Sequence, residues 1–229
     1  MISRLIPIIL FVLPYSVFCQ SFLEVYEKNY ANIDKVSNVS YQLEYLSYGK
    51  STLIDQSTMQ VENIGQLVYT RIAKVDSYQL DSTTVIVDHE NKQIQLNVGV
   101  ELLSKNTNNI EVIKNLIALS DKETTKEVGQ EMHYSLFFTD QKFKELTLVI
   151  DKKQDRFKKM IYVLAEEVPN VEEIAEEAVN RLEIILKNYT TNIKQFSHPL
   201  NKYLTFDGKR YALQAKYSTY QFVNNYDLR

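Results

Sequence analysis

The stretch "EMHYSLFFTD", residues 131–140, alternates with a period of two. Met132, Tyr134, Leu136 and Phe138 fall on one side of an extended chain, and His133, Ser135 and Phe137 on the other. Such alternation is the signature of a β-strand with one buried face. Its large apolar side is either ordinary core or the lining of a space that holds something else. That alternative is the functional question the sequence raises.

The same period recurs along the chain. Val39, Tyr41, Leu43 and Tyr45 alternate with Ser40, Gln42, Glu44 and Leu46, and Gly49 closes that strand. It returns at Met59 and Val61, at Leu67 and Tyr69, at Val85 and Val87, and at Ile94, Leu96 and Val98, with "DHENK" (88–92) as the turn between the last two. Past residue 131 it continues through Leu146, Leu148 and Ile150 and through 159–164, separated by "TDQKF" and "DKKQDR". These runs describe an antiparallel meander.

Two segments carry helical spacing instead. In "SFLEVYEKNYANIDKV" the residues Phe22, Tyr26, Tyr30 and Ile33 share one face, and in "NNIEVIKNLIALSDK" so do Ile110, Ile113 and Ile117, flanked by Leu116 and Leu119 and preceded by asparagines suited to capping. The pattern predicts helices over 22–36 and 109–119. The segment "NVEEIAEEAVNRLEIILKNY" fits either a five-turn helix or, as favoured here, a short helix or loop over 170–179 followed by a strand. Further strands are expected near Tyr203, after the Asp207-Gly208 turn, and over 220–223.

The N-terminal "MISRLIPIILFVLPYSVFCQS" has one positive charge, Arg4, before an apolar run from Leu5 to Leu13. That is the design of a secretory signal, and the run falls short of the about 20 residues a membrane helix needs. Val17 and Cys19 suit the −3 and −1 positions of a cut before Gln20, so residues 1–19 read as a signal peptide and 20–229 as a single domain. The competing reading, a lipid on Cys19, puts Phe18 where a small residue is normally required. The cut removes the one cysteine, so the mature chain has no thiol or disulfide and depends on packing.

Several function classes lack their residues. The formal charge is −3 with no basic stripe, which argues against a nucleic-acid surface. His89, His133 and His198 are scattered, and none falls in an H-E-x-x-H or other metal-ligand spacing. There is no G-x-S-x-G elbow, and five glycines leave little material for a phosphate loop. The acidic pairs Glu166–Glu167, Glu172–Glu173 and Glu176–Glu177 read as a solvated face. No cofactor, no metal site and no catalytic group is expected. Sixteen tyrosines and no tryptophan are the unusual feature of composition, suited to strands buried at one edge and wet at the other.

The element order, a helix, a run of strands, an inserted helix, more meander and a short closing strand, together with the signal segment, resembles the LolA-like lipoprotein-carrier superfamily of Gram-negative envelopes. The C-terminal third, "RLEIILKNYTTN", "FSHPLNKYLTFDGK" and "AKYSTYQFVNN", looks most like its secreted members. The resemblance implies an α+β fold in which a curved antiparallel β-sheet, a half-open barrel, is covered on its concave face by helices around an apolar cavity that takes lipoprotein acyl chains. No segment matches the family's lid-locking arginine motif; Arg71 lies in a strand-like stretch without that match.

On this reading Tyr41, Leu43, Tyr45, Met59, Leu67, Tyr69, Val85, Ile94, Leu96, Tyr134, Leu136, Phe138, Leu146 and Leu148 are the candidate cavity lining. The expected partner is a lipid or lipoprotein acyl chain, bound without chemistry in the periplasm or outside the cell. The alternative is an envelope structural or accessory protein that binds a protein partner through a sheet edge and tyrosine-rich surface.

Overall fold

A computed structural model describes residues 20–29, 37–49, 52–80, 83–98, 107–139, 141–168, 179–207 and 210–225. Its strands are β1 (Val39–Gly49), β2 (Thr52–Ile64), β3 (Leu67–Ile72), β4 (Val75–Leu80), β5 (Thr83–Asp88), β6 (Gln93–Val98), β7 (Lys122–Val128), β8 (Glu131–Phe137), β9 (Phe143–Asp151), β10 (Arg156–Val168), β11 (Val179–Thr191), β12 (Leu204–Phe206), β13 (Tyr211–Leu213) and β14 (Gln221–Asn224). The helices are α1 (Phe22–Asn29) and α2 (Thr107–Leu119). The signal segment, the expected continuation of the first helix through Tyr30 and Ile33, and the acidic stretch 170–178 lie outside the described residues.

Twelve strands form one curved, open sheet in the order β14-β6-β5-β4-β3-β2-β1-β11-β10-β9-β8-β7. All neighbours are antiparallel except β14, which adds to β6 in parallel. The segment from residue 179 is a strand, because Leu182 and Ile184 find partners on both sides in β1 and β10, and Leu186 in β1. Two strands that the sequence reading passed over complete the sheet. β7, "KETTKEV", is an edge strand and needs no buried alternation, while β4 places an aspartate at a core-facing position. Bulges between Ser40 and Gln42, between Ser47 and Tyr48, and twice in β10 break the ladders and bend the strands. Gly65, at φ +64°, supplies the left-handed residue of the tight β2–β3 turn.

The pairing register assigns every strand residue to a face, since directly opposed residues point the same way. Tyr41 opposes Val61 and Leu43 opposes Met59 and Leu186. Tyr45 and Met160 both oppose Ile184, Leu148 opposes Met160 and Tyr134, and Leu136 opposes Leu146. These residues form one face. Glu62 opposes Tyr69, Tyr69 opposes Tyr78, Tyr78 opposes Val85, Val85 opposes Leu96 and Val87 opposes Ile94. They belong to the other face, because Glu62 is adjacent to Val61 on β2.

Each face has its own cover. On the first, the helix face, Phe22, Val25 and Tyr26 of α1 and Ile113 of α2 pack on Tyr134, Leu136, Leu146, Leu148 and Met160. A capping box starts α1: Ser21 Oγ accepts from the Glu24 amide at 3.3 Å and Glu24 Oε2 accepts from the Ser21 amide at 3.0 Å. Glu123 Oε1 of β7 then takes the orphan Phe22 amide at 2.5 Å. On the second, the tail face, the cover is the chain from Ile193 onward: Tyr203, Leu204 and Tyr217, with Phe196, Leu200 and Phe222, pack on Tyr69, Tyr78, Val85, Val87, Ile94 and Leu96.

Candidate functional site

The fourteen lining candidates divide between these faces. Tyr134, Leu136, Phe138, Leu146 and Leu148 join the core beneath α1 and α2. Tyr41, Leu43, Tyr45 and Met59 continue the same face through Ile184 and Leu186 into a second cluster with Val39 and Val61. Tyr69, Val85, Ile94 and Leu96 lie under the tail, and the half-buried Leu67 opposes Ile64 on that side. Nine of the fourteen therefore share the helix-covered face and five do not.

Beneath the helices the surface is continuous and apolar, and Leu136, Leu146 and Leu148 have no exposed area. Phe138 closes one end with its ring 4.9 Å from Phe143, edge to face. Tyr162 lies partly against this core, and burial lifts its phenol to about 12. The helix α2 carries more apolar surface than it buries. Ile113 is enclosed and Ile110, Leu116 and Ile117 are packed in part, but Val112 and Leu119 are 54% and 53% exposed. Val112, Leu116 and Leu119 fall at i, i+4 and i+7, a second apolar stripe beside the one facing the sheet.

The tail face holds the polar centre of the molecule. Asp76 has no exposed area, and four side chains converge on its carboxylate. Tyr69 Oη (2.9 Å) and Arg71 Nε (2.6 Å) donate to Oδ1; Arg71 Nη2 (3.0 Å), His89 Nε2 (2.9 Å) and Tyr203 Oη (2.7 Å) donate to Oδ2. Burial alone would raise the Asp76 pKa, but the hydrogen bonds from His89, Tyr203, Arg71 and Tyr69 outweigh it and hold the carboxyl below its ordinary value. Burial and the neighbouring anion push the phenols of Tyr69 and Tyr203 upward, so they remain donors.

The proton positions in this cluster follow from chemistry. A guanidinium cannot accept, so Arg71 Nη1 donates to His198 Nε2 at 2.9 Å, which leaves the imidazole proton on Nδ1, donated to Ser197 Oγ at 2.9 Å. His198 is thereby held neutral, its pKa lowered by burial and by the Arg71 charge. Ser197 Oγ also accepts from Gln60 Nε2 at 3.1 Å, so the adjacent imidazole is a donor to the hydroxyl and not its base. His89 places Nε2–H on Asp76 and accepts at Nδ1 from Tyr220 Oη, 3.2 Å away. Tyr78 Oη donates to the His198 carbonyl at 2.7 Å.

Sequence reading treated the histidines as three separate, ordinary residues. The fold brings His89 and His198 into one network with Asp76, while His133 stays apart, paired with Glu131 at 3.0 Å. Glu131 sits below its usual value because Lys158 and His133 both hydrogen-bond it. The clue that was present is tyrosine: Tyr69, Tyr78, Tyr203 and Tyr220 supply hydroxyls that this buried cluster consumes. Among the described residues no group of three or more His, Cys, Asp or Glu has a geometry that could hold a metal ion. No described helix is long and apolar enough to cross a membrane. Two open hollows of about 410 Å³ lie on the tail face, one between the tail and the sheet, bordered by Ser40, Glu62 and Phe196, the other on the sheet alone, bordered by Gln42, Gln60 and Arg71.

No protein-family model matches the sequence, and no curated protein matches it. Solved structures similar in shape include an uncharacterized conserved protein from Thermus thermophilus, at 12% identity and a TM-score of 0.44 over 90% of this chain and 99% of that one. A second is the MucA/MucB complex of Pseudomonas aeruginosa, at 12% identity and 0.44, covering 76% of this chain and 58% of the other. A LolA superfamily protein from Nitrosomonas europaea matches at 9% identity and 0.30, over 77% and 95%. At these scores and identities the likeness is one of general architecture and reaches no site residue.

Proposed function

We propose that the chain is a non-enzymatic binding protein of the periplasm or cell exterior, whose helix face takes a lipid, a lipoprotein acyl chain or another apolar ligand beneath α1 and α2. The observation that carries this reading is the surplus apolar surface of α2. A helix serving only to seal the core needs one apolar stripe; this one has a second, with Val112 and Leu119 in water. The sheet beneath it is apolar from Tyr134 to Leu186. When α2 swings aside, an acyl chain can replace its contacts with Leu136, Leu146 and Leu148.

Transfer of about 13 methylenes from water supplies roughly 10 kcal/mol at about 0.8 kcal/mol each, against an association cost of about 4 to 15 kcal/mol. The helix contacts given up reduce the gain further, so binding is reversible and needs no polar anchor. The apolar run before Gln20 supports the exported location and a mature chain beginning there. The stripe of Val112, Leu116 and Leu119 also favours a second reading, in which an envelope protein partner covers it. Native mass spectrometry of protein purified from cells separates the two: a co-purifying lipid supports the first, a bound polypeptide the second, and neither sinks both.

A further inference from the structure

The hairpin of β12 and β13 stands apart from the twelve-stranded sheet. Its register, Leu204 opposite Leu213 and Phe206 opposite Tyr211, places these four side chains on one face. The near half of that face is used: Leu204 is buried and Leu213 packs against the tail-face core. The far half reaches solvent through Phe206, while Tyr211 is half-buried against the same core. Phe206 is 58% exposed, more than any other described large apolar side chain, and its ring lies 4.7 Å from that of Tyr211.

A second, independent observation is charge. From Ile193 onward the tail carries Lys194, Lys202, Lys209, Arg210, Lys216 and Arg229 against the acids Asp207 and Asp227, in a chain whose formal charge is −3. Lys202, Arg210 and Lys216 are exposed, and among the described residues none of them forms an ion pair with a carboxylate. These cations of the tail are thus open to an external anion, whereas Arg71 on the sheet is spent on Asp76.

We propose that the β12–β13 hairpin docks the protein on an anionic lipid surface. Phe206 and Tyr211 enter the boundary between headgroups and acyl chains, and Lys202, Arg210 and Lys216 meet the lipid charges. Size decides against a protein partner: two aromatic side chains offer about 150–250 Å² each, well below the about 800 Å² per side of a stable protein interface. A soluble polyanion would satisfy the cations but gives a phenyl ring nothing. A bilayer rewards both, with each basic residue near an anionic surface worth about a fivefold gain in affinity and the rings buried at the interface. The hairpin belongs to the cover of the tail face, so this docking is independent of whether the helix face takes a ligand.

The chain has no tryptophan, so Phe206→Trp makes a single fluorescent reporter at the site. Vesicles of phosphatidylglycerol and phosphatidylcholine should shift its emission to the blue, and pure phosphatidylcholine vesicles should not. The double variant Phe206→Ser, Tyr211→Ser should bind the anionic vesicles at least about tenfold more weakly, and Phe206→Ser alone, whose ring projects from the core, should weaken binding while melting like the parent, since Tyr211 packs in part against that core. Unshifted emission from the introduced indole, or a double variant that floats with vesicles as the parent does, overturns the proposal. So does heparin binding as tight as vesicle binding and indifferent to the double substitution, which would mean a polyanion site. A parent dimer dispersed by the same substitutions would assign the rings to a second copy of the chain and likewise overturn it.

Discussion

Asp76→Ala is the sharpest test of how the tail is held. The substitution removes the acceptor for Tyr69, Arg71, His89 and Tyr203 at once. The Arg71 side chain is 29% exposed, so water can reach part of the guanidinium, but the two phenols lie in fully buried residues. Breaking a buried pair by removing one partner typically costs about 3–5 kcal/mol, a large share of the about 5–15 kcal/mol that holds a domain together. Urea denaturation should show a loss in that range. Asp76→Asn should be nearly as damaging, because its amide NH₂ must face a donor at one end or the other.

The damage should also be local. Amide exchange should accelerate first in the tail, around Tyr203 and Tyr217, before the strands under α1 and α2 respond. A double-mutant cycle isolates the contact itself. Tyr203→Phe should cost about 1.5–3 kcal/mol in the parent, as a hydrogen bond to a charged group, and almost nothing once Asp76 is alanine. Asp76→Ala within about 1 kcal/mol of the parent, or additive costs in the cycle, would refute the idea that this carboxylate clamps the tail to the sheet.

Acid should loosen the same clamp in two stages. His198 has a lowered pKa in the fold, so its contribution is intact above the unfolded value of about 6.5 and is lost as pH falls toward the folded one; Arg71, Lys202, Asp76 and Glu62 are the charges that act on it. Asp76 is also lowered, so its share is present above about 3.9 and disappears only below that, through its folded pKa; melting temperature against pH should show both steps, and His198→Gln should remove the first. On the helix face, Leu136→Trp adds bulk at a position with no exposed area and should cost about 1–3 kcal/mol by overpacking; a variant as stable as the parent would mean unfilled space there. Ile113→Ala weakens the seating of α2 and should speed uptake of a fluorescent fatty acid, whereas absence of uptake by parent and variant alike would end the lipid reading. Intact-mass measurement should find a mature chain starting at Gln20, and a diacylglyceryl adduct on Cys19 would instead make the protein membrane-anchored.

Much of the architecture was legible from residue order because burial imposes a period. Val39 to Gly49 and Glu131 to Phe137 alternate because one side of each strand meets core and the other does not, and Phe22 with Tyr26, and Ile110, Ile113 and Ile117 in the second helix, fall at helical spacing for the same reason. Where that pressure is missing or opposed, the signal fails. β7 buries nothing that must alternate, and β4 was hidden by Asp76, a charge at a core-facing position that only its four partners make tolerable.

Period two tells which residues of one strand share a side, but not which side continues onto the next strand. That depends on register, and a slip of one residue exchanges the faces. The sequence by itself determined the strands that alternate, the two helices and the apolar residues within each. Only the tertiary structure decided that Tyr69, Val85, Ile94 and Leu96 lie back to back with Tyr41, Leu43, Tyr134 and Leu136. It alone gathered Asp76, His89, His198 and Tyr203, up to 127 residues apart, into one site, because contacts between such distant residues are made by the folded sheet and leave no local periodicity to read.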